Sequence, residues 1–196
     1  VKDVTIKVYQ FNELNKEAQD KVVSDYERYL DFESDVVTDD FIVDIEKRTG
    51  IHITRTYYDL SCSQGSGSNF AFTVPEQNVL KFAEFFANFD IIDLLEDADL
   101  YIQTISNSYA SRYCHAYVRD IDIAVENYDL TDDTNKFEEM VDKFREQITD
   151  WYRLQCTILH TELRRYYADC ISRESVAENC EVNDYWFYED GSICSA

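Results

Sequence analysis

The chain has 196 residues, 45% of them hydrophobic and 15% aromatic, with 40 acidic residues against 18 basic ones and a formal net charge of -22. That aromatic content excludes a disordered acidic tail, which cannot bury enough apolar surface to offset chain entropy, and the charge argues against direct binding of DNA or RNA. No stretch approaches the roughly 18–20 uninterrupted apolar residues of a membrane span, and Val1–Asn12 lacks the layout of a signal peptide, so a soluble cytoplasmic protein with no membrane association is expected.

Val4–Phe11 alternates Val4, Ile6 and Val8 against Thr5, Lys7 and Tyr9, the period-two pattern of a half-buried opening strand. Asn15 reads as the N-cap of a first helix in which Ala18, Val22, Tyr26 and Leu30 recur at four-residue steps. A second helix is expected from near Thr38, carrying Phe41, Ile42 and Ile45 inward and stopping at Gly50. Ile51–Leu60 and Phe70–Val74 are rich in aromatic and β-branched residues and read as a strand pair around the glycine loop Ser61–Asn69. Pro75 suits the first turn of a third helix carrying Val79, Phe82, Ala83 and Phe86.

Two further strands are expected within Leu100–Ser106 and Tyr113–Ile123, turned at Asn107 and Ser108. From Thr134 the apolar series Phe137, Met140, Val141, Phe144, Ile148, Trp151, Ile158, Leu159, Leu163, Tyr166 and Cys170 holds a helical period with neither glycine nor proline. That predicts one long helix, more than about 50 Å at about 1.5 Å per residue. Tyr185–Tyr188 and Asp190–Gly191 read as a final short strand and turn that adds to a sheet edge. No internal repeat or proline-rich linker marks a boundary, so residues 1–196 are expected to form a single α+β domain. Its antiparallel or mixed sheet would be packed by three or more helices, including the long C-terminal one.

The acid is unevenly placed. Between Phe82 and Ser111 stand Glu84, Asp90, Asp93, Glu96, Asp97 and Asp99 with no lysine or arginine. Asp129, Asp132, Asp133, Glu138, Glu139, Asp142 and Glu146 lead into and along the long helix, partly offset by Lys136, Lys143 and Arg145. Carboxylates on successive helical turns lie about 5–6 Å apart and can stand in for a phosphate row. Solvated helix faces and favourable charge at helix N-termini account for individual carboxylates equally well. The candidate partner-binding residues are Asp90, Asp93, Glu96, Asp97, Asp99, Asp129, Asp132, Asp133, Glu138, Glu139, Asp142 and Glu146.

Other chemistries are weaker. Cys62, Cys114, Cys156, Cys170, Cys180 and Cys194 are scattered without a CxxC pair and read as reduced, mostly buried thiols. Cys156 and His160 share a helix face and make half of a zinc site, which His115 or Cys170 would have to complete, so no metal or cofactor is expected. Asp129–Asp133 lacks the glycine of a calcium loop. Ser61, Cys62 and Ser63 lack the strand-turn-helix context of a nucleophile elbow, and no catalytic residue is expected. Within the loop, Ser63, Gln64, Gly65, Gly67 and Asn69 make up a motif that reads first as a hairpin turn; an enzyme would use it with a nearby histidine or carboxylate.

Phe11-Asn12-Glu13-Leu14 with Glu17-Ala18-Gln19, the loop Ser63-Gln64-Gly65-Ser66-Gly67, and the closing Asn183-Asp184-Tyr185-Trp186-Phe187 with Glu189-Asp190-Gly191 together carry a resemblance. They resemble a group of small acidic proteins encoded by phages and prophages, in which the loop usually reads SQGDG, so Ser66 stands where aspartate is usual. Compact, strongly acidic phage proteins include DNA mimics that disarm host nucleases, restriction enzymes and CRISPR effectors. The resemblance therefore implies an inhibitor that occupies a basic nucleic-acid-binding site on a host defence protein, in the host cytoplasm. Two other classes stay open: a small enzyme built on Ser61–Asn69, and an antitoxin-like or scaffold protein that binds a basic partner without imitating DNA.

Overall fold

Asn15 opens helix α1 (Lys16–Tyr29): its Oδ1 accepts the amide of Ala18 at 3.0 Å, satisfying one of the donors that a helix start leaves unpaired. A computed structural model describes residues 6–61, 65–96, 101–107, 114, 120–126 and 134–194 of the chain. The fold is α+β. Its strands β1 (His52–Asp59), β2 (Gly67–Val74), β3 (Tyr101–Ser106) and β4 (Asp122–Glu126) form one antiparallel sheet in the order β1-β2-β3-β4. The other helices are α2 (Asp35–Thr49), α3 (Val79–Phe85), α4 (Phe89–Glu96), α5 (Thr134–Cys170) and α6 (Arg173–Val182).

The chain divides into two compact units, Ser34–Leu163 and a terminal unit of Val1–Glu33 with Arg164–Ala196. In the first, α2 ends where the sequence expects: Gly50 takes a left-handed φ of 79° and its amide reaches the Glu46 carbonyl at 2.8 Å. The chain then enters β1, whose hairpin with β2 pairs from His52↔Thr73 to Asp59↔Gly67 with one register shift between Ile53 and Arg55. Pro75 introduces a 3-10 turn, Glu76–Asn78, rather than the helix itself, and α3 follows directly.

Phe70, Phe72 and Val74 of β2 are buried with Val79, Phe82 and Ala83 of α3 and with Phe144, Ile148 and Tyr152 of α5. The rings pack tilted or edge to face. Phe70 and Tyr152 have centroids 4.9 Å apart, and Trp151 stands nearly perpendicular to Phe72, Phe82 and Phe86, a geometry that adds to plain area burial.

The β2–β3 ladder is short, covering Thr73↔Ser106 and Val74↔Ile105. Beyond it the side chain of Asn107 takes the place of a strand. Its Oδ1 accepts from the Phe72 amide at 2.8 Å and its Nδ2 donates to the Phe70 carbonyl at 2.9 Å, all fully buried. β4 overlaps the window Tyr113–Ile123, expected to hold the second of these strands, at Asp122 and Ile123 and runs on to Glu126, while residues 113 and 115–119 lie outside the described residues.

In the terminal unit, Phe11, Leu14, Ala18, Val22, Val176, Cys180 and Phe187 make a separate core. The opening strand expected over Val4–Phe11 is reduced, among its described residues, to one bridge. Tyr9 and Phe187 exchange backbone hydrogen bonds of 2.8 and 2.9 Å, and Gln10 and Glu13 then turn the chain into a 3-10 segment, Phe11–Glu13. The strand expected at Tyr185–Tyr188 is likewise a pair of single bridges, Tyr9↔Phe187 and Phe187↔Ile193, and does not join the four-stranded sheet. A two-sided hydrophobic alternation makes a strand only where a partner backbone runs beside it, and here the pairing partner is one residue long.

Asp190 fastens this closing turn. Its carboxylate accepts from the hydroxyl and amide of Ser192 and from Lys21 Nζ on α1. The Ser192 hydroxyl, then the Ser192 amide and Lys21, hold its pKa down to about 2, from 3.8. A depressed carboxylate pKa contributes stability that is present above the ordinary value and is lost as pH falls through the folded value. The closing turn is therefore expected to loosen between about pH 4 and pH 2. A carbon-detected NMR titration should show Asp190 protonating near pH 2 in the intact chain and closer to the ordinary value in Ser192→Ala. A normal midpoint in the intact chain would contradict the contact.

Candidate interaction surface

Helix α4 follows a tight turn. Ala87 adopts a positive φ of 50°, and Asn88 Oδ1 accepts the amide of Ile91 at 3.2 Å. Ile91 is fully buried, and Ile92, Leu94 and Leu95 pack on the same core. Asp90, Asp93 and Glu96 are thereby left in solvent, and among the described residues none of them has an ion-pair partner. The acidic run is legible in the sequence, whereas the helix that carries it is not.

Helix α5 is sorted the same way. Phe137, Val141, Phe144, Ile148 and Tyr152 are buried, so Glu138, Asp142, Glu146 and Asp150 rise as an exposed stripe at four-residue steps, with Glu139 beside it. Successive carboxylates in such a stripe are about 5–6 Å apart. Arg145 pairs with Asp142, and Arg153 stands 3.8 Å from Asp150, while Glu138, Glu139 and Glu146 have no ion-pair partner among the described residues. Asp150 belongs to this stripe and was not singled out in the sequence. The four-residue recurrence of acid at 138, 142, 146 and 150 is the signal that marks it.

The elements that carry the two acidic runs, separated in sequence by some forty residues, touch at the N-terminal end of α4. Asn88 Nδ2 donates to Gln147 Oε1 at 2.8 Å, and a shallow groove between them is lined by Phe89 and Asp90 on one side and by Met140, Lys143 and Gln147 on the other. Asp90, Asp93, Glu96, Glu138, Glu139, Asp142 and Glu146 therefore belong to neighbouring elements. Asp97, Asp99, Asp129, Asp132 and Asp133 lie outside the described residues.

The glycine loop lies elsewhere in the same unit. Gly67 and Asn69 prove to be residues of β2, paired with Asp59 and Tyr57, and Asn69 is fully buried. The hairpin ladder runs further than the sequence suggested because Ser68 buries its hydroxyl by donating to the Cys156 carbonyl of α5 at 2.6 Å. Gly65 and Ser66 close the turn, and Ser63 and Gln64 lie outside the described residues.

Ser66 Oγ stands 3.4 Å from His160 Nε2, but its hydroxyl donates to the Asp59 carbonyl at 3.1 Å. Cys156 and His160 do sit one turn apart on α5, with the cysteine buried. Among the described residues no group of three or more His, Cys, Asp or Glu side chains converges to hold a metal ion. Burial pushes the thiol of Cys180 up. Among the described residues no helix is long and apolar enough to cross a membrane.

The fold and its charged faces define an acidic α+β protein whose most distinctive surface is the pair of carboxylate-bearing helices α4 and α5. The chain belongs to the family described as a domain of unknown function, DUF8835, which matches residues 19–173. No curated protein and no solved structure matches the chain.

Proposed function

We propose that the protein is a phage-encoded inhibitor that acts in the host cytoplasm by presenting the acidic faces of α4 and α5 to a basic nucleic-acid-binding site on a host defence protein, as a mimic of DNA. The observation that carries this reading is the exposure of seven carboxylates, Asp90, Asp93 and Glu96 on α4 and Glu138, Glu139, Asp142 and Glu146 on α5, two elements joined by the contact of Asn88, just before α4, with Gln147. A net charge of -22 opposes compaction, and exposed carboxylates without an ion-pair partner on two touching elements are what a surface selected for a basic partner would show. Lysine and arginine arrays that hold DNA by releasing its counterions meet an equivalent array here. The phage setting and the defence target rest on the resemblance of Phe11–Leu14, the glycine loop and the closing segment to acidic phage proteins.

Two double charge reversals test it: Asp93→Lys with Glu96→Lys, and Glu138→Lys with Glu146→Lys. All four positions are exposed and lack an ion-pair partner among the described residues, so folding should be untouched. Each pair is expected to weaken binding of the basic partner by about 10- to 100-fold, mostly through slower association. The control, Glu181→Lys with Glu189→Lys in the terminal unit, makes the same change in net charge and should cost less than about threefold. Equal losses in all three variants would reduce the effect to overall charge and remove these faces from the proposal.

A further inference from the structure

A second surface, apart from the acidic faces of α4 and α5, lies wholly within the terminal unit. Where α1 ends, two grooves of about 470 and 590 Å³ run between the C-terminal half of α1 and α6 and share Tyr26, Leu30, Asp31 and Asn179 as a common wall. Their floor is aromatic and aliphatic. Large apolar side chains also stand at their edges in solvent, Tyr29 at 79% exposure and Val182 at 77%. Contiguous apolar exposure of this kind marks an interaction site rather than ordinary surface.

The rim decides the occupant. Asp25, Asp31, Glu33, Asp169 and Glu178 line the two grooves, and among the described residues no lysine, arginine or histidine does. A second copy of the chain would bring its own excess of carboxylates to this rim and be repelled. An acidic peptide would be repelled likewise. A helix with one apolar face and lysines or arginines along its flanks meets both features. Its apolar side chains enter at i, i+3, i+4 and i+7, and its cations reach the carboxylates and the faces of Tyr26, Tyr29 and Tyr166.

We infer that the groove between α1 and α6 is a docking site for a basic amphipathic helix of a partner protein. This goes beyond the inhibitor reading, since it holds whether or not the acidic faces of α4 and α5 imitate DNA. A partner gripped here as well as there would gain by effective concentration.

The probe is a fluorescent peptide of about 18 residues made of leucine and lysine, with the leucines at helical spacing. A scrambled peptide of the same composition, which cannot segregate its apolar face, serves as control. At physiological salt the patterned peptide is expected to bind the full chain at least about tenfold tighter than the scrambled one, with amide shifts confined to α1, α6 and the closing turn. Tyr29→Ser with Val182→Ser, at exposed positions, should remove that preference while leaving the melting temperature unchanged. Asp31→Asn with Glu178→Gln should weaken binding severalfold and flatten its salt dependence. Glu138→Lys with Glu146→Lys should preserve the preference for the patterned peptide. Equal binding of both peptides, amide shifts centred on α4 or α5, or indifference to the groove substitutions would each overturn the assignment. So would a stable dimer in sedimentation that buries the same residues.

Discussion

Gly191→Ala is expected to be the most damaging single-methyl change in the terminal unit, lowering its stability by about 2–5 kcal/mol. Gly191 lies at φ 80°, where an L-residue with a Cβ is strained by about 1–2 kcal/mol. The added carbon would also stand 2.5 Å from the Ala18 carbonyl oxygen and 3.2 Å from its carbon. Those atoms are helical backbone in α1, held by the helix's own hydrogen bonds, so the closing turn must move instead. Moving it breaks the Tyr188–Gly191 turn and strains the Tyr9–Phe187 pairing beside it. Amide exchange is the readout: the Phe187 amide should lose protection in the variant. Gly50 supplies the contrast, because a Cβ there would meet the flexible Lys81 side chain at 3.1 Å and Asn78 at 3.3 Å, so Gly50→Ala should cost about 1–2 kcal/mol, mainly backbone strain. Equal costs at the two glycines would show that the Ala18 contact is not the cause.

Asn107→Leu is expected to cost about 3 kcal/mol, the largest effect of a near-isosteric change in the sheet. The asparagine replaces a missing stretch of strand by offering one acceptor and one donor to β2, and leucine offers neither. The Phe70 carbonyl keeps the Tyr152 hydroxyl at 3.1 Å, but the Phe72 amide is left buried with its acceptor gone. An orphaned buried donor costs about 1–3 kcal/mol beyond the hydrogen bond itself. Urea unfolding followed by tryptophan fluorescence should show a lower midpoint. The Trp151 indole, packed against Phe70 and Phe72, reports on this part of the core. An unchanged midpoint would mean that the Asn107 bridge adds nothing over solvent.

The sequence carried the elements that have local punctuation. Asn15 and Gly50 marked the start of α1 and the end of α2, and the unbroken series from Phe137 to Cys170 marked α5, because caps and a 3.6-residue period are written in neighbouring residues. Helix α4 was hidden because Ile91, Ile92, Leu94 and Leu95 form a dense apolar run whose period is lost in eight residues. Helix α6 was hidden because no glycine or proline separates it from α5. The break is made by Ser172, which goes extended and whose Oγ accepts the Ser175 amide at 3.2 Å. Asn107 could not be recognised as a surrogate strand, since its role depends on two β2 groups more than thirty residues away in sequence.

The candidate site was legible in part for the same reason. Acid recurring at four-residue steps within one helix can be read directly, whereas the meeting of α4 with α5 depends on tertiary packing around Phe86 and Phe144, whose rings lie 5.8 Å apart. The glycine loop shows the converse. Its motif was visible, but the burial of Ser68 and Asn69 within β2 makes much of it hairpin structure.

The most direct test of the inhibitor reading is capture of partners from host lysate on the immobilised full chain, with excess duplex DNA and raised salt as competitors and mass spectrometry as readout. The expected result is a basic nucleic-acid-binding defence protein that DNA displaces, that salt releases steeply, and that the Glu138→Lys, Glu146→Lys variant fails to retain. A partner that DNA leaves bound, or that the reversed helix face retains equally, would contradict it.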